Sequence, residues 1–255
     1  MNHPPEDHGR LDRGDGVALA WARLPGRGPT VVFLPGFASD MSGGKATALA
    51  EACRRAGRAL LRFDYSGHGA SGGAFADGCI GRWRDDALTV IDRLTEGPLV
   101  LAGSSMGGWI ALLAALARPG RIAALVGIAA APDFTETLMW QAMAPPEQAA
   151  LLRDGYLDVP SQYGPPTRIT RMLIEDGRRH LLLGAPIPLT CPVRLLQGQR
   201  DPDVPWETAL RLAERIAGDD VRVTLIKDGD HRLSRPEDLA LLCRTVLPLG
   251  GEDGA

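Results

Sequence analysis

Residues 98–116 read Pro98-Leu-Val-Leu-Ala-Gly-Ser-Ser-Met-Gly-Gly-Trp-Ile-Ala-Leu-Leu-Ala-Ala-Leu116. A short apolar run, a glycine-flanked serine pair and a longer apolar run follow one another without interruption. The first run predicts a buried strand and the second, from Met106 to Ala117, a helix. Between them Gly103-Ser104-Ser105-Met106-Gly107 fits G-x-S-x-G at a sharp strand-to-helix turn, which forces the central serine into a strained backbone and raises its hydroxyl above the sheet. Glycine at 103 and 107 lets strand and helix pass without Cβ clashes. Ser105 is therefore the candidate nucleophile. The Met106 amide, at the start of the helix, is a candidate donor to a developing oxyanion. A second match, Gly69-Ala70-Ser71-Gly72-Gly73, has neither a strand before it nor a helix after it, so Ser71 reads as a turn residue.

On either side of this stretch short β-rich runs alternate with helical patterns, the signature of βα units around a mostly parallel sheet with helices on both faces. Strands are expected over Val17–Leu24 (an outer one), Thr30–Leu34, Ala59–Tyr65, Leu99–Gly103, Ile122–Ala130, Val193–Gln197 and Val221–Ile226. Helices are expected over Lys45–Ala56, Trp83–Leu94, Met106–Ala117, Trp206–Ala217 and Pro236–Val246. The alternation stops from Asp133 to about Pro188, where Pro145-Pro146, Pro160, Pro165-Pro166 and Pro186 break up helical pieces. The expected organisation is an α/β core of residues 1–132 and 185–255 with a helical lid inserted over 133–184.

A serine nucleophile needs a base, an orienting acid and a second oxyanion donor. Of the five histidines, His3 and His8 read as tail, His68 as part of a glycine turn and His180 as part of the insertion. His231 follows the strand Val221–Ile226 and precedes the last helix, which suits a base in the chain order serine, acid, histidine. The acid lies in Gly198-Gln-Arg-Asp201-Pro-Asp203-Val-Pro205. Asp201 is favoured at the strand end, and Asp203 reads as a cap for the following helix. Leu34-Pro35-Gly36-Phe37 offers the Phe37 amide as second donor, with an ordinary Pro-Gly turn as the alternative. Asp64 is expected to fasten its own turn, and Gly107-Gly108 to allow close helix packing. Leu138, Trp140 and Met143 are either insertion core or the lining of an acyl pocket. Arg168, Arg171, Arg178 and Arg179 are either a solvated face or contacts for an anionic leaving group.

The 255 residues are 45% hydrophobic, with 28 basic against 31 acidic groups. That is enough apolar material for one large core and leaves no basic surface for nucleic acid or an anionic membrane. All but Lys45 and Lys227 of the basic residues are arginine, a compositional bias without functional weight. The four cysteines show no metal or disulfide spacing, so no metal and no cofactor are expected. No apolar run approaches the roughly 18 residues of a membrane span. Met1–Arg10 has neither a signal-peptide core nor a transit-peptide pattern, and the expected location is the cytoplasm.

With these residues in place the chain resembles the α/β-hydrolase-fold serine esterases. The segments Phe33-Leu-Pro-Gly-Phe, Arg62-Phe-Asp-Tyr-Ser-Gly, Trp83-Arg-Asp-Asp, Gly103-Ser-Ser-Met-Gly-Gly-Trp109, Pro186-Ile-Pro, Cys191-Pro-Val-Arg-Leu-Leu and Val204-Pro-Trp206 resemble the mitochondrial α/β-hydrolase-domain acyl-protein thioesterases, also described as mycophenolic acid acyl-glucuronide esterases. The resemblance spans about residues 30–245. It implies a triad of Ser105, Asp201 and His231 and hydrolysis of a carboxylic ester or thioester, on a small molecule or an acylated protein, through an acyl-enzyme. The rival expectation is a binding module of the same fold without turnover. Serine rather than aspartate at 105 argues against a dehalogenase.

Overall fold

The computed structural model describes residues 5–161 and 164–250. Eight strands form one sheet: β1 (Asp7–Asp12), β2 (Ala18–Leu24), β3 (Arg27–Leu34), β4 (Arg58–Phe63), β5 (Leu99–Ser104), β6 (Ile122–Ile128), β9 (Val193–Gly198) and β10 (Val221–Ile226). Their order is β1-β2-β4-β3-β5-β6-β9-β10. β1 and β2 pair antiparallel, β2 meets β4 antiparallel, and every other pair is parallel. This is the α/β-hydrolase arrangement expected from the sequence.

The central strands are apolar on both faces because helices cover both. Alternation along each strand divides the core in two. Val32 and Leu34 of β3 and Leu99 and Leu101 of β5 join Trp83, Ile91, Ile110 and Leu212 on one side of the sheet. Val31, Phe33, Val100 and Ala102 join Leu49, Cys53, Leu242 and Val246 on the other. Helices α1 (Gly44–Ala56) and α7 (Pro236–Val246) thus cover one face. Helices α2 (Ile80–Leu94), α3 (Met106–Ala117) and α6 (Glu207–Arg215) cover the opposite one. α3 is buried all round from Met106 to Ala115, which explains why it shows no polar stripe.

Two parts differ from expectation. The segment read as an N-terminal tail is an edge strand, with His8 paired opposite Ala22. Its polar sequence hid it, and charged residues are ordinary on an exposed edge. The insertion is not wholly helical. Between α4 (Pro145–Asp154) and α5 (Arg171–Gly177) stands an antiparallel ribbon, β7 (Tyr156–Ser161) with β8 (Gly164–Thr170). Its prolines read as breakers, but Pro160, Pro165 and Pro166 fall at the register shift between Val159 and Ser161, outside the paired positions, where a missing N–H costs no ladder bond. A cross-strand Asp158–Arg168 pair at 2.8 Å and the Arg168 guanidinium 4.0 Å from the Tyr156 ring hold it.

The ends of the insertion are tied to each other and to the core. Asp133 accepts from the Leu182 and Leu183 amides at 2.8 and 2.9 Å across about fifty residues of chain. Trp109 Nε1 donates to the His180 carbonyl at 3.0 Å, and Asp176 accepts from the Gly81 amide at the start of α2 at 2.7 Å.

Candidate active site

Ser105 sits between β5 and α3 with φ 54° and ψ −120°, in a region that L-residues rarely occupy. The neighbouring glycines show why the turn is this tight. A Cβ on Gly103 would stand 2.2 Å from the Gly107 carbonyl oxygen, and one on Gly107 would stand 2.1 Å from that of Leu34. A Cβ on Gly108 would stand 2.6 Å from that of Ala130. The turn is pinned to β6 by the Ser105 amide donating to the Ile128 carbonyl at 2.9 Å. Ser71 is placed differently. Its Oγ donates to the Asp64 carbonyl at 2.7 Å and accepts from the Ala20 amide at 2.8 Å, so it braces a turn against β2.

The three residues singled out for catalysis meet, although the chain separates them widely. His231 Nε2 lies 3.1 Å from Ser105 Oγ and His231 Nδ1 lies 2.8 Å from Asp201 Oδ2. The Asp201 side chain has no exposed surface, and that of His231 is largely covered. Burial alone would raise the Asp201 carboxyl. The bond from His231, the amides of Val204 and Asp203 and the His231 charge outweigh burial and hold it below its ordinary value. Asp203 does not cap α6, because the helix starts from Trp206 without a side-chain cap. It lies beside Asp201 instead, and the Asp203 and Val204 amides both donate to Asp201 Oδ1 at 2.8 Å. Ligand atoms of Asp201, Asp203 and His231 come within 4.8 Å of one another, but Asp201 and His231 direct theirs at each other.

Three supporting residues were not singled out in the sequence. Gln197, wholly buried at the end of β9, donates to Asp201 Oδ2 at 2.9 Å and to the Val204 carbonyl at 3.2 Å. Its signal was a polar residue directly after the apolar Leu195-Leu196 of a parallel strand. Lys45 at the start of α1 donates to the Arg232 carbonyl, one residue past His231. Burial, with the like charge of Arg232, pushes its ammonium down to about 8. His68 is buried and accepts from the Ala38 amide at 3.2 Å. The loop bearing His231 is further fixed by Asp230 accepting from the Leu233 amide and by Arg235 bridging Asp228 and Asp238.

Phe37 stands in the loop after β3, its ring among Phe75, Trp83 and Phe134 at centroid distances of 5.0, 5.8 and 5.8 Å. Gly36 beside it approaches Ser105, since a Cβ there would lie 3.4 Å from that of the serine. Met106 opens α3, so its amide has no carbonyl four residues earlier in the helix to bond. Leu138, Trp140 and Met143 are half-buried and pack against the core. The insertion arginines bond its own acids: Arg168 with Asp158, Arg171 with Glu175, Arg178 with Glu136 and the Trp140 ring, and Arg179 with Asp176. All four are partly exposed and paired within the insertion.

A family model described as Serine aminopeptidase, S33 matches residues 27–176. The mouse protein named Palmitoyl-protein thioesterase ABHD10, mitochondrial, is 44% identical over 238 residues, covering 92% of this chain and 80% of its own length. The chain belongs to the ABHD10 family of α/β hydrolases. The solved structure of α/β-hydrolase domain-containing protein 10 from mouse superposes with a TM-score of 0.87 at 42% identity, over 94% of this chain and 96% of that one. A putative hydrolase from Agrobacterium vitis S4 superposes with a TM-score of 0.93 at 41% identity, over 97% of this chain and all of that one. The protein is thus a hydrolase, as the sequence led us to expect. The relatives' names carry a mitochondrial location, which overturns the expectation of a cytoplasmic one. No helix among the described residues is long and apolar enough to cross a membrane.

Proposed function

We propose that the protein cleaves fatty-acyl thioesters and related carboxylic esters through an acyl-enzyme on Ser105, with His231 as base and Asp201 as the acid that orients it. The observation that carries this reading is the continuous line Ser105 Oγ, His231 Nε2, His231 Nδ1, Asp201 Oδ2 at 3.1 and 2.8 Å, ending on a serine with φ 54°. Asp201 accepts from Nδ1–H, which leaves Nε2 as the lone-pair nitrogen facing the hydroxyl. As Oγ attacks the acyl carbon, its proton passes to Nε2. The carbonyl oxygen takes up negative charge, which the Phe37 and Met106 amides stabilise. Collapse expels the thiol or alcohol, which takes the proton from His231. A water then repeats the sequence, with His231 as base, and frees the acid.

The thioester preference follows from kinship with proteins named palmitoyl-protein thioesterase. In this reading residues 133–184 are the lid. The half-buried Leu138, Trp140 and Met143 fit the lining of an acyl path, being apolar and only partly covered. The test is steady-state hydrolysis of palmitoyl thioesters and p-nitrophenyl esters by wild type and Ser105→Ala. Turnover in the first and none in the second is expected. A Ser105→Ala variant that keeps the wild-type rate overturns the reading.

A further inference from the structure

The turn after β4 grips the loop after β3 at two points. Asp64 Oδ1 accepts from the Met41 amide at 2.7 Å and His68 Nε2 accepts from the Ala38 amide at 3.2 Å. The second bond is next to Phe37. The Ala38 N–H lies in the peptide plane that begins at the Phe37 carbonyl, so holding it fixes Phe37 ψ and Ala38 φ together. Ala38 needs that restraint, because its φ of 54° is left-handed at a residue other than glycine.

We propose that His68 is a positioning residue for the oxyanion hole: its neutral ring, with the proton on Nδ1, holds the Ala38 amide and thereby aims the Phe37 N–H at the reacting carbonyl oxygen. The inference rests on the acyl-enzyme reading above. The tautomer follows from the partners. Nδ1 faces the Ser66 carbonyl at 3.2 Å, which can only accept, so Nδ1 carries the proton and Nε2 is free to accept from Ala38. The ring is 3% exposed and walled by Tyr65, Phe75 and Trp83 at 5.7, 5.1 and 5.1 Å. Asp40 is the acid whose charge acts on it, and burial outweighs that attraction. Both ring nitrogens bond backbone, which leaves neither for proton transfer to substrate.

The test compares His68→Leu, which loses donor and acceptor, with His68→Gln, whose amide supplies both at similar reach. The readouts are kcat and KM on a short-chain p-nitrophenyl ester, and inhibition by a trifluoromethyl ketone whose hemiketal oxygen occupies the hole. We expect His68→Leu to lower kcat about 10- to 100-fold with KM within about twofold, and to weaken the inhibitor by a similar factor. His68→Gln should recover most of both. Equal losses in the two variants, or a folded His68→Leu with wild-type kcat, overturn the inference. If His68→Leu does not fold, ¹⁵N spectra of the wild-type ring decide: a protonated Nδ1 beside an unprotonated Nε2 at neutral pH is required, and the other tautomer overturns it. A wild-type rate in Ser105→Ala would sink the acyl-enzyme reading itself. An inactive Ser105→Ala beside a fully active His68→Leu would sink only the inference about His68.

Discussion

Gln197 Nε2 donates to Asp201 Oδ2 at 2.9 Å, the same oxygen that takes the bond from His231 Nδ1 at 2.8 Å. A buried amide and a largely covered imidazole thus share one carboxylate oxygen, while two backbone amides hold the other. Gln197→Leu removes a donor to a charged acceptor, a loss of about 1.5–3 kcal/mol where nothing replaces it. The expected result is a kcat lower by about tenfold or more at similar KM. The acid limb of the rate profile should also move to higher pH, because a carboxylate that has lost a hydrogen-bond donor is more readily protonated. Steady-state rates across pH check both, and an unchanged profile would remove Gln197 from the account.

The two neighbouring aspartates should separate cleanly. Asp201→Asn leaves the shape intact but favours the wrong imidazole tautomer, and a kcat loss on the order of 10⁴ is expected. Asp203 is exposed and gives α6 no side-chain cap, so Asp203→Asn should keep near-wild-type turnover. Parallel rate and melting measurements test the pair; the reverse pattern would reassign the acid.

Gly107→Ala places a methyl 2.1 Å from the Leu34 carbonyl oxygen, where only backbone can yield. α3 must then move from β3 and take the Ser105 turn with it. A stability loss of about 1–3 kcal/mol, with turnover largely lost, is expected from urea unfolding and ester hydrolysis.

His68 should leave a mark on acid stability. Burial pushes its ring down to about 4 from the ordinary 6.5. Between those values the unfolded chain binds a proton that the folded chain refuses, so stability falls as the pH is lowered through that window. The loss reaches about 3 kcal/mol at the acid end and is absent above about 6.5. His68→Gln should lack this part of the slope. Urea unfolding of both proteins at neutral pH and near pH 4.5 measures it, and identical slopes would contradict a neutral, buried His68.

Trp140→Ala should alter the ranking of butyryl through palmitoyl esters, because in the proposed lid the indole borders the acyl path. Its half-buried packing and the Arg178 contact at 4.8 Å also support the insertion. The ranking therefore has to be read beside the melting temperature. An unchanged ranking with reduced stability would make Trp140 a core residue only.

What the sequence made legible was governed by local rules. α3, β10 and α7 begin and end where expected because each combines an unbroken apolar pattern with a turn at its boundary. The glycines around Ser105 stated their steric purpose in advance. Chain order pointed to His231, and strand-end position separated Asp201 from Asp203. The misses depend on distant partners. β1 is too polar to announce itself and exists by pairing with β2. The ribbon in the insertion looks broken by proline until its register shift is seen. His68 gave no local sign because its purpose lies thirty residues away at Ala38. Asp203 looked like a cap because a helix follows, but Pro205 and Trp206 set that start without it.

In the proposed mechanism Ser105, and not Ser71, carries the acyl group. A fluorophosphonate reacts covalently with a serine activated by an adjacent base and leaves braced turn serines untouched. Intact-mass and peptide mapping should show one adduct per wild-type chain, on the peptide holding Ser105. The same adduct should form in Ser71→Ala and none in Ser105→Ala. An adduct that maps to Ser71, or that persists in Ser105→Ala, would contradict Ser105 as the nucleophile.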